Sequence, residues 1–166
     1  AYRFESSIQI LEHTYLYHAE YVRGDDMLGK YLELRNVYRD SALLLLPENE
    51  YLFTITKTSQ LIEEGLFDEA EVLLLSYMPK VENGTRDYSV LTSILAFLYE
   101  CMGDGEMRME YLIRSAISDI KAVVKENNSL RTLAELLYEE GQIARAHLYV
   151  KTSMEDANFY NARLRN

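Results

Sequence analysis

Three stretches decide how this chain folds: Leu61-Ile62-Glu63-Glu64-Gly65-Leu66-Phe67-Asp68-Glu69-Ala70, Tyr99-Glu100-Cys101-Met102-Gly103-Asp104-Gly105-Glu106-Met107, and Leu137-Tyr138-Glu139-Glu140-Gly141-Gln142-Ile143-Ala144-Arg145-Ala146. Their central glycines, Gly65, Gly103 and Gly141, are spaced 38 residues apart each time. In each stretch a helical pattern runs up to the glycine and a second one starts within a few residues. A glycine just past the end of a helix takes the left-handed conformation without steric cost, and a short turn then returns the chain as a hairpin of two helices. Three hairpins at a fixed period indicate a helical solenoid, in which neighbouring pairs bury each other's apolar faces.

Composition points the same way. Seven Gly and two Pro in 166 residues leave long uninterrupted runs, and the strong helix formers Leu, Glu, Ala, Met, Lys and Arg are abundant. No stretch alternates apolar and polar residues long enough for a strand. Fourteen Tyr and no Trp suit half-buried helix faces, with the ring inward and the hydroxyl wet. The fold class is therefore all-α.

About eight helices are expected. Phe4, Ile8, Leu11, Tyr15 and Ala19 step by three and four, which gives a first helix near 3–22. Gly24-Asp25-Asp26 breaks it, with Asp25 or Asp26 as N-cap, and a helix near 27–45 closes at Pro47. Asn49 or Glu50 opens a helix to about 64, and Phe67 to Met78 is its partner, stopped by Pro79. Thr85 caps a helix over 87–102, Asp104 one over 105–126, and Ser129 one over 130–140. The last helix runs from near Gln142 to the chain end. The pairs are approximately 3–45, 49–78, 87–126 and 130–164, within one helical domain spanning 1–166.

Charge and length exclude several functions. Lys and Arg number 17 against 27 Asp and Glu, a net charge of −10. Such a surface repels phosphate backbones, so direct nucleic-acid binding by this segment is not expected. The single cysteine, Cys101, excludes an internal disulfide or a multi-cysteine metal site. Ala42 to Pro47 is the most apolar stretch and far short of the roughly 20 residues of a membrane span. Residue 1 is Ala and no leader pattern follows it, so the chain is expected to be a fragment of something longer.

The repeat resembles the tetratricopeptide repeat (TPR), in which small and large apolar residues take set places around the turn between two helices. Counting from the glycines, the small residue falls on Ala70 and Ala146 and the large one on Leu74 and Val150. The middle repeat carries Arg108 and Leu112 instead, and the period exceeds the usual 34 residues by about one helical turn. The resemblance implies a right-handed α-solenoid of TPR-like antiparallel helix pairs.

Longer stretches resemble a narrower group. Ser115 to Ala122, Lys125 to Gly141 and Ser153 to Arg165 are similar to the TPR region of membrane-tethered transcriptional regulators from Bacteroides-type bacteria. In that family the TPR region follows a signal peptide and precedes a membrane helix, a coiled segment and a C-terminal helix-turn-helix domain. The resemblance covers about residues 45–166. It implies a segment on the periplasmic side of the inner membrane, adjacent to the spanning helix but not itself in contact with the membrane.

No catalytic constellation stands out. His13 and His18 are five apart, which does not place two ligands on one helix face, and His147 lies in a distant repeat. Acid pairs such as Asp25-Asp26, Glu63-Glu64, Glu139-Glu140 and Glu155-Asp156 read as helix-end and solvated-face residues, and none sits in a calcium-loop spacing. Cys101 stands between Glu100 and Asp104, which disfavours a thiolate. Gly103-Asp104-Gly105 is too short to cradle phosphate. No metal, cofactor or catalytic residue is expected. Met102, Met107 and Met109, with Phe97, Tyr99 and Tyr111, read first as inter-helix core.

The expected binding surface is the concave face lined by the first helix of each pair. Counting back from the turn glycines places Ser59 and Ile62, then Ser93, Phe97 and Glu100, then Arg131, Glu135 and Tyr138 on it. Phe97 and Tyr138 would anchor apolar side chains, and Arg131 would hold a carboxylate. A protein or peptide partner fits this face, and the exposed first and last helices could pair with a second copy. The function expected is a non-enzymatic interaction and sensor module of a membrane-tethered transcriptional regulator; the rival is an autonomous cytoplasmic TPR scaffold or adaptor.

Overall fold

The computed structural model describes residues 25–122 and 129–159, and every regular element among them is helical. Seven α-helices follow in order: α1 (Asp25–Leu45), α2 (Tyr51–Glu63), α3 (Phe67–Tyr77), α4 (Arg86–Met102), α5 (Gly105–Ala122), α6 (Ser129–Glu139) and α7 (Ile143–Phe159). A single 3-10 turn, Met78–Lys80, follows α3 where Pro79 interrupts the backbone ladder. The helix expected over 3–22 lies outside the described residues, as do the last residues of the helix expected over 105–126 and of the final helix. The chain divides into two compact units, residues 1–64 and 65–166.

In the first unit α1 packs on α2. Ala42 and Leu46 are buried, with Tyr38, Leu52 and Phe53 against them. Pro47 ends α1 because it disfavours a helical residue before it and cannot donate a backbone hydrogen bond. The turn closes with Glu50 N–H donating to the Pro47 carbonyl at 3.0 Å. Glu50 is the N-cap of α2, yet its side chain makes no capping bond. Two arginines of α1 meet one carboxylate of α2: Arg35 and Arg39 both donate to Glu63 Oε2, at 2.7 and 2.5 Å. Arg39 is buried, and a buried guanidinium needs such a partner.

The second unit is built around α4. Leu91, Leu95 and Leu98 are fully buried, and Ala96 and Tyr99 nearly so. The helix starts at Thr85, whose Oγ1 accepts the Tyr88 N–H at 3.3 Å, as its place in the sequence predicts. It ends at Gly103, with φ 77°. There Asp104 N–H donates to the Tyr99 carbonyl and Gly103 N–H to the Glu100 carbonyl, the two bonds of a Schellman motif. Gly141 repeats this after α6, with Gln142 N–H on Leu137 and Gly141 N–H on Tyr138. Asp104 then caps α5, its Oδ1 accepting the Met107 N–H at 3.0 Å.

Each turn sends the next helix back antiparallel. Glu100 meets Arg108, Tyr99 stacks on Tyr111, and Ser89 meets Ser115, an order that runs backwards along α5. The positions 38 residues apart do the same work in the next pair: Leu133, Ala134 and Leu137 of α6 are buried like Leu95, Ala96 and Tyr99 of α4. On the second helices, Ala70, Leu74, Leu112 and Ala146 are buried as the repeat predicts. Val150, at the same place in α7, is exposed. The off-pattern Arg108 is accommodated because its guanidinium reaches Glu100 of α4 at 2.9 Å.

Small residues let three helices approach where α4, α5 and α6 meet. Ser89, Ser115 and Ser129 are buried and joined by hydroxyl hydrogen bonds: Ser89 Oγ to Ser115 Oγ at 3.1 Å and Ser115 Oγ to Ser129 Oγ at 2.7 Å. Ser89 also donates to Asp119 Oδ1. Ser129 is the first helical residue of α6, and its hydroxyl meets that of Ser115 on α5.

Two substitutions separate core from turn. Leu95→Ala leaves a cavity among fully buried neighbours and should cost about 2–5 kcal/mol in chemical denaturation. Gly103→Ala meets no atom within 4 Å of the new Cβ, so only the positive φ resists it, at about 1–2 kcal/mol. A turn variant that loses more stability than the core variant would contradict this assignment.

Candidate functional site

The outward face of α4 carries the residues singled out from the repeat. Leu91, Leu95, Leu98 and Tyr99 turn inward, which leaves Ser93, Phe97 and Glu100 on the opposite side. Phe97 is 53% exposed, a large apolar ring left out of the core. Glu100 is engaged by Arg108, and Ser93 Oγ donates to the Val90 carbonyl of its own helix at 2.8 Å. Val90, Ile94 and Cys101 share this face, the first two half-buried and Cys101 exposed. Counting from the glycine missed them, although Ile94 and Cys101, three and four residues from Phe97, and Val90, seven before it, fall beside it on the helix.

The equivalent places on α6 are Arg131, Glu135 and Tyr138, all exposed. Tyr138 is 65% exposed. Arg131 Nε donates to Glu135 Oε1 at 3.1 Å across one turn, so the cation expected to hold a ligand carboxylate is held by its own helix. Both side chains are more than half exposed, and a pair of this kind is weak. Among the described residues no hydrogen bond or ion pair joins the α4 positions to those on α6. Ser59 and Ile62 lie on α2 in the first unit, both half-buried, with Ser59 Oγ donating to the Ile55 carbonyl at 3.0 Å.

Among the described residues no three His, Cys, Asp or Glu side chains stand close enough to hold a metal ion. His147 is exposed on α7, while His13 and His18 lie outside the described residues. No described helix is long and apolar enough to cross a membrane. Of the methionine and aromatic group, Tyr99 and Tyr111 are core, stacked with ring centroids 5.4 Å apart and planes 13° from parallel. Tyr99 also donates its hydroxyl to Glu71 of α3, and Arg114 lies 5.2 Å above the Tyr111 ring. Met102 stays on the surface.

What the arrangement offers is contact area: an exposed aromatic on each of two first helices, with charges paired beside them. The comparison with protein families agrees. A model of the SusR N-terminal TPR domain matches residues 8–166. The chain belongs to that family. Searches among curated proteins and solved structures return no match. Membership makes the chain an all-α domain of TPR-like helix pairs, a fold that typically serves as a protein-interaction module and is typically non-catalytic.

The tyrosine stack makes the alkaline behaviour predictable. Burial first, then the bond to Glu71, pushes the Tyr99 phenol well above its ordinary value, and burial also raises Tyr111. Protons are then held more tightly in the folded than in the unfolded chain. Stability from these hydroxyls is full below about pH 10 and declines as pH rises through the range above it. In urea titrations across that range, Tyr99→Phe should flatten the alkaline decline, while costing about 1 kcal/mol at neutral pH for the lost hydrogen bond. An unchanged alkaline slope would count against the assignment.

Proposed function

We propose that this domain is the periplasmic sensing module of a membrane-tethered transcriptional regulator, taking a protein or peptide partner on the outward face of its first helices. The family match over residues 8–166 is the observation that carries this reading. The exposed Phe97, with Val90, Ser93 and Ile94 beside it, supports α4 as the anchor of that face. Phe97 supplies an aromatic contact of the kind that dominates interfaces. Arg131 supplies a cation whose pairing with Glu135 is weak enough for a ligand carboxylate to displace. The acidic surface, net −10 over the chain, favours cationic or neutral partners over anionic ones.

Binding transmits only if the partner prefers one of two arrangements of the repeats, since a ligand with equal affinity for both shifts nothing. The final helix is the natural route toward the membrane.

The test is made in the full-length parent protein with a transcriptional reporter. Phe97→Ala and Arg131→Glu should each raise the inducer concentration needed for half-maximal response by about tenfold, with unchanged protein level. An unaltered response in both variants would remove this face as the input. Protease treatment of intact spheroplasts should cleave the segment, and protection from external protease would overturn the periplasmic placement.

A further inference from the structure

The loop leading into α4 holds a pair of residues whose chemistry the fold does not use. Asn83 is followed by Gly84, and no other asparagine of the chain precedes a glycine. The fold demands the glycine. Its φ of 85° lies in the left-handed region, and a Cβ there would meet Lys121 Cδ of α5 at 3.0 Å. No such demand falls on Asn83, which is exposed. Among the described residues neither its carboxamide nor the Gly84 N–H takes part in a hydrogen bond. The turn is closed instead at its ends, where the Glu82 carbonyl accepts from Thr85 N–H at 3.3 Å and from Thr85 Oγ1 at 2.7 Å. A free carboxamide therefore stands next to a free backbone nitrogen that no side chain shields.

We propose that Asn83 is a site of spontaneous deamidation in the folded chain, by way of a succinimide with Gly84. The Gly84 nitrogen loses its proton to solvent base and attacks Asn83 Cγ. A new N–C bond forms, the bond from Cγ to the side-chain nitrogen breaks, and ammonia leaves with a proton from water. Water then opens the ring at either carbonyl. One opening leaves aspartate at position 83, and the other leaves isoaspartate, with the main chain running through the former side chain. No oxidant, metal or cofactor enters the balance. Both products add a negative charge just ahead of α4, where the helix dipole tolerates an anion. They differ in the backbone. Isoaspartate inserts an extra carbon between positions 83 and 84, so Thr85 can no longer hold both bonds to Glu82 and the Tyr88 N–H in register. The cap of α4, the central helix of the second unit, is then weakened.

The experiment ages the folded 166-residue chain at neutral and mildly alkaline pH and digests it after lysine and arginine, which releases the peptide 81–86. That peptide should acquire the mass gain of an NH2-to-OH exchange and divide into aspartate and isoaspartate forms, faster at the higher pH. Because the turn needs little local opening, the rate should lie within about tenfold of that of the free synthetic peptide 81–86. Asn83→Gln, which would have to close a larger and slower-forming ring, should abolish the conversion without altering the fresh chain's melting curve. Separated by anion exchange, the isoaspartate form should melt below the fresh chain, whereas Asn83→Asp should melt with it. A folded chain that converts more slowly than the tenfold limit, or a mass gain that persists in peptide 81–86 of Asn83→Gln, overturns the proposed site. An isoaspartate form that melts like the fresh chain overturns the effect on the cap.

Discussion

A left-handed glycine at the end of a first helix is the constraint on which each hairpin of the second unit depends. At Gly103 and Gly141 the positive φ allows two backbone bonds that satisfy the last carbonyls of the helix and turn the chain within a few residues. Because the turn is short, it fixes register as well as direction. Asp104 leaves the turn already placed to cap α5, and from there Arg108 meets Glu100 and Tyr111 meets Tyr99. A longer or looser turn would let α5 rotate or slide against α4, and none of these partners would be specified.

Between pairs a different device operates. Where α4, α5 and α6 converge, the buried residues are serines, and their hydroxyls bond to one another instead of presenting methyl groups. Serine is small enough for close helix approach, and a hydroxyl out of water costs free energy unless it finds a partner. Each pairing therefore penalises a shifted helix, which would strand a hydroxyl. At the α6–α7 hairpin the small residues Ala134 and Ala146 are buried too, and a methyl group carries no such directional demand. The first unit relies on charge, with Glu63 receiving both Arg35 and Arg39. These devices work by the same logic: a buried polar group is stable only in the arrangement that satisfies it.

Much of the fold was legible because its determinants are local. The glycines, Thr85 and Asp104 act within their own turn, so residue type and position were enough to place α4, α5, α6 and α7. Ser129 shows the limit. A hydroxyl at a helix start reads as a cap, but only the three-dimensional neighbourhood reveals its bond to Ser115 of the preceding helix. The site divides in the same way. Counting from the glycine put Ser93, Phe97 and Glu100 on the outward face of α4, because helical geometry alone determines which side a residue takes. The Arg131–Glu135 pair was implicit in its spacing of four, whereas the bond from Arg108 to Glu100 crosses between helices and had no signal along the chain. Ile113, Ile117 and Ile120, exposed along one side of α5, were hidden for another reason: periodicity reports that a helix has an apolar face, not that it has two.

Where the repeats agree, they describe scaffold. Leu95 and Leu133, Ala96 and Ala134, Gly103 and Gly141 perform the same packing or turning in successive pairs, and a change at any of them would be felt as stability. Where the repeats disagree at exposed places, packing makes no demand, so the choice of residue is open to other pressures. Phe97 stands where Glu135 stands one repeat later, and Ile113 where Lys151 stands. Both substitute an apolar side chain for a charged one on a surface facing water, against the ordinary economy of a protein that is otherwise strongly acidic. The two departures sit on different helices of the same hairpin, α4 and α5, and point away from the core they share.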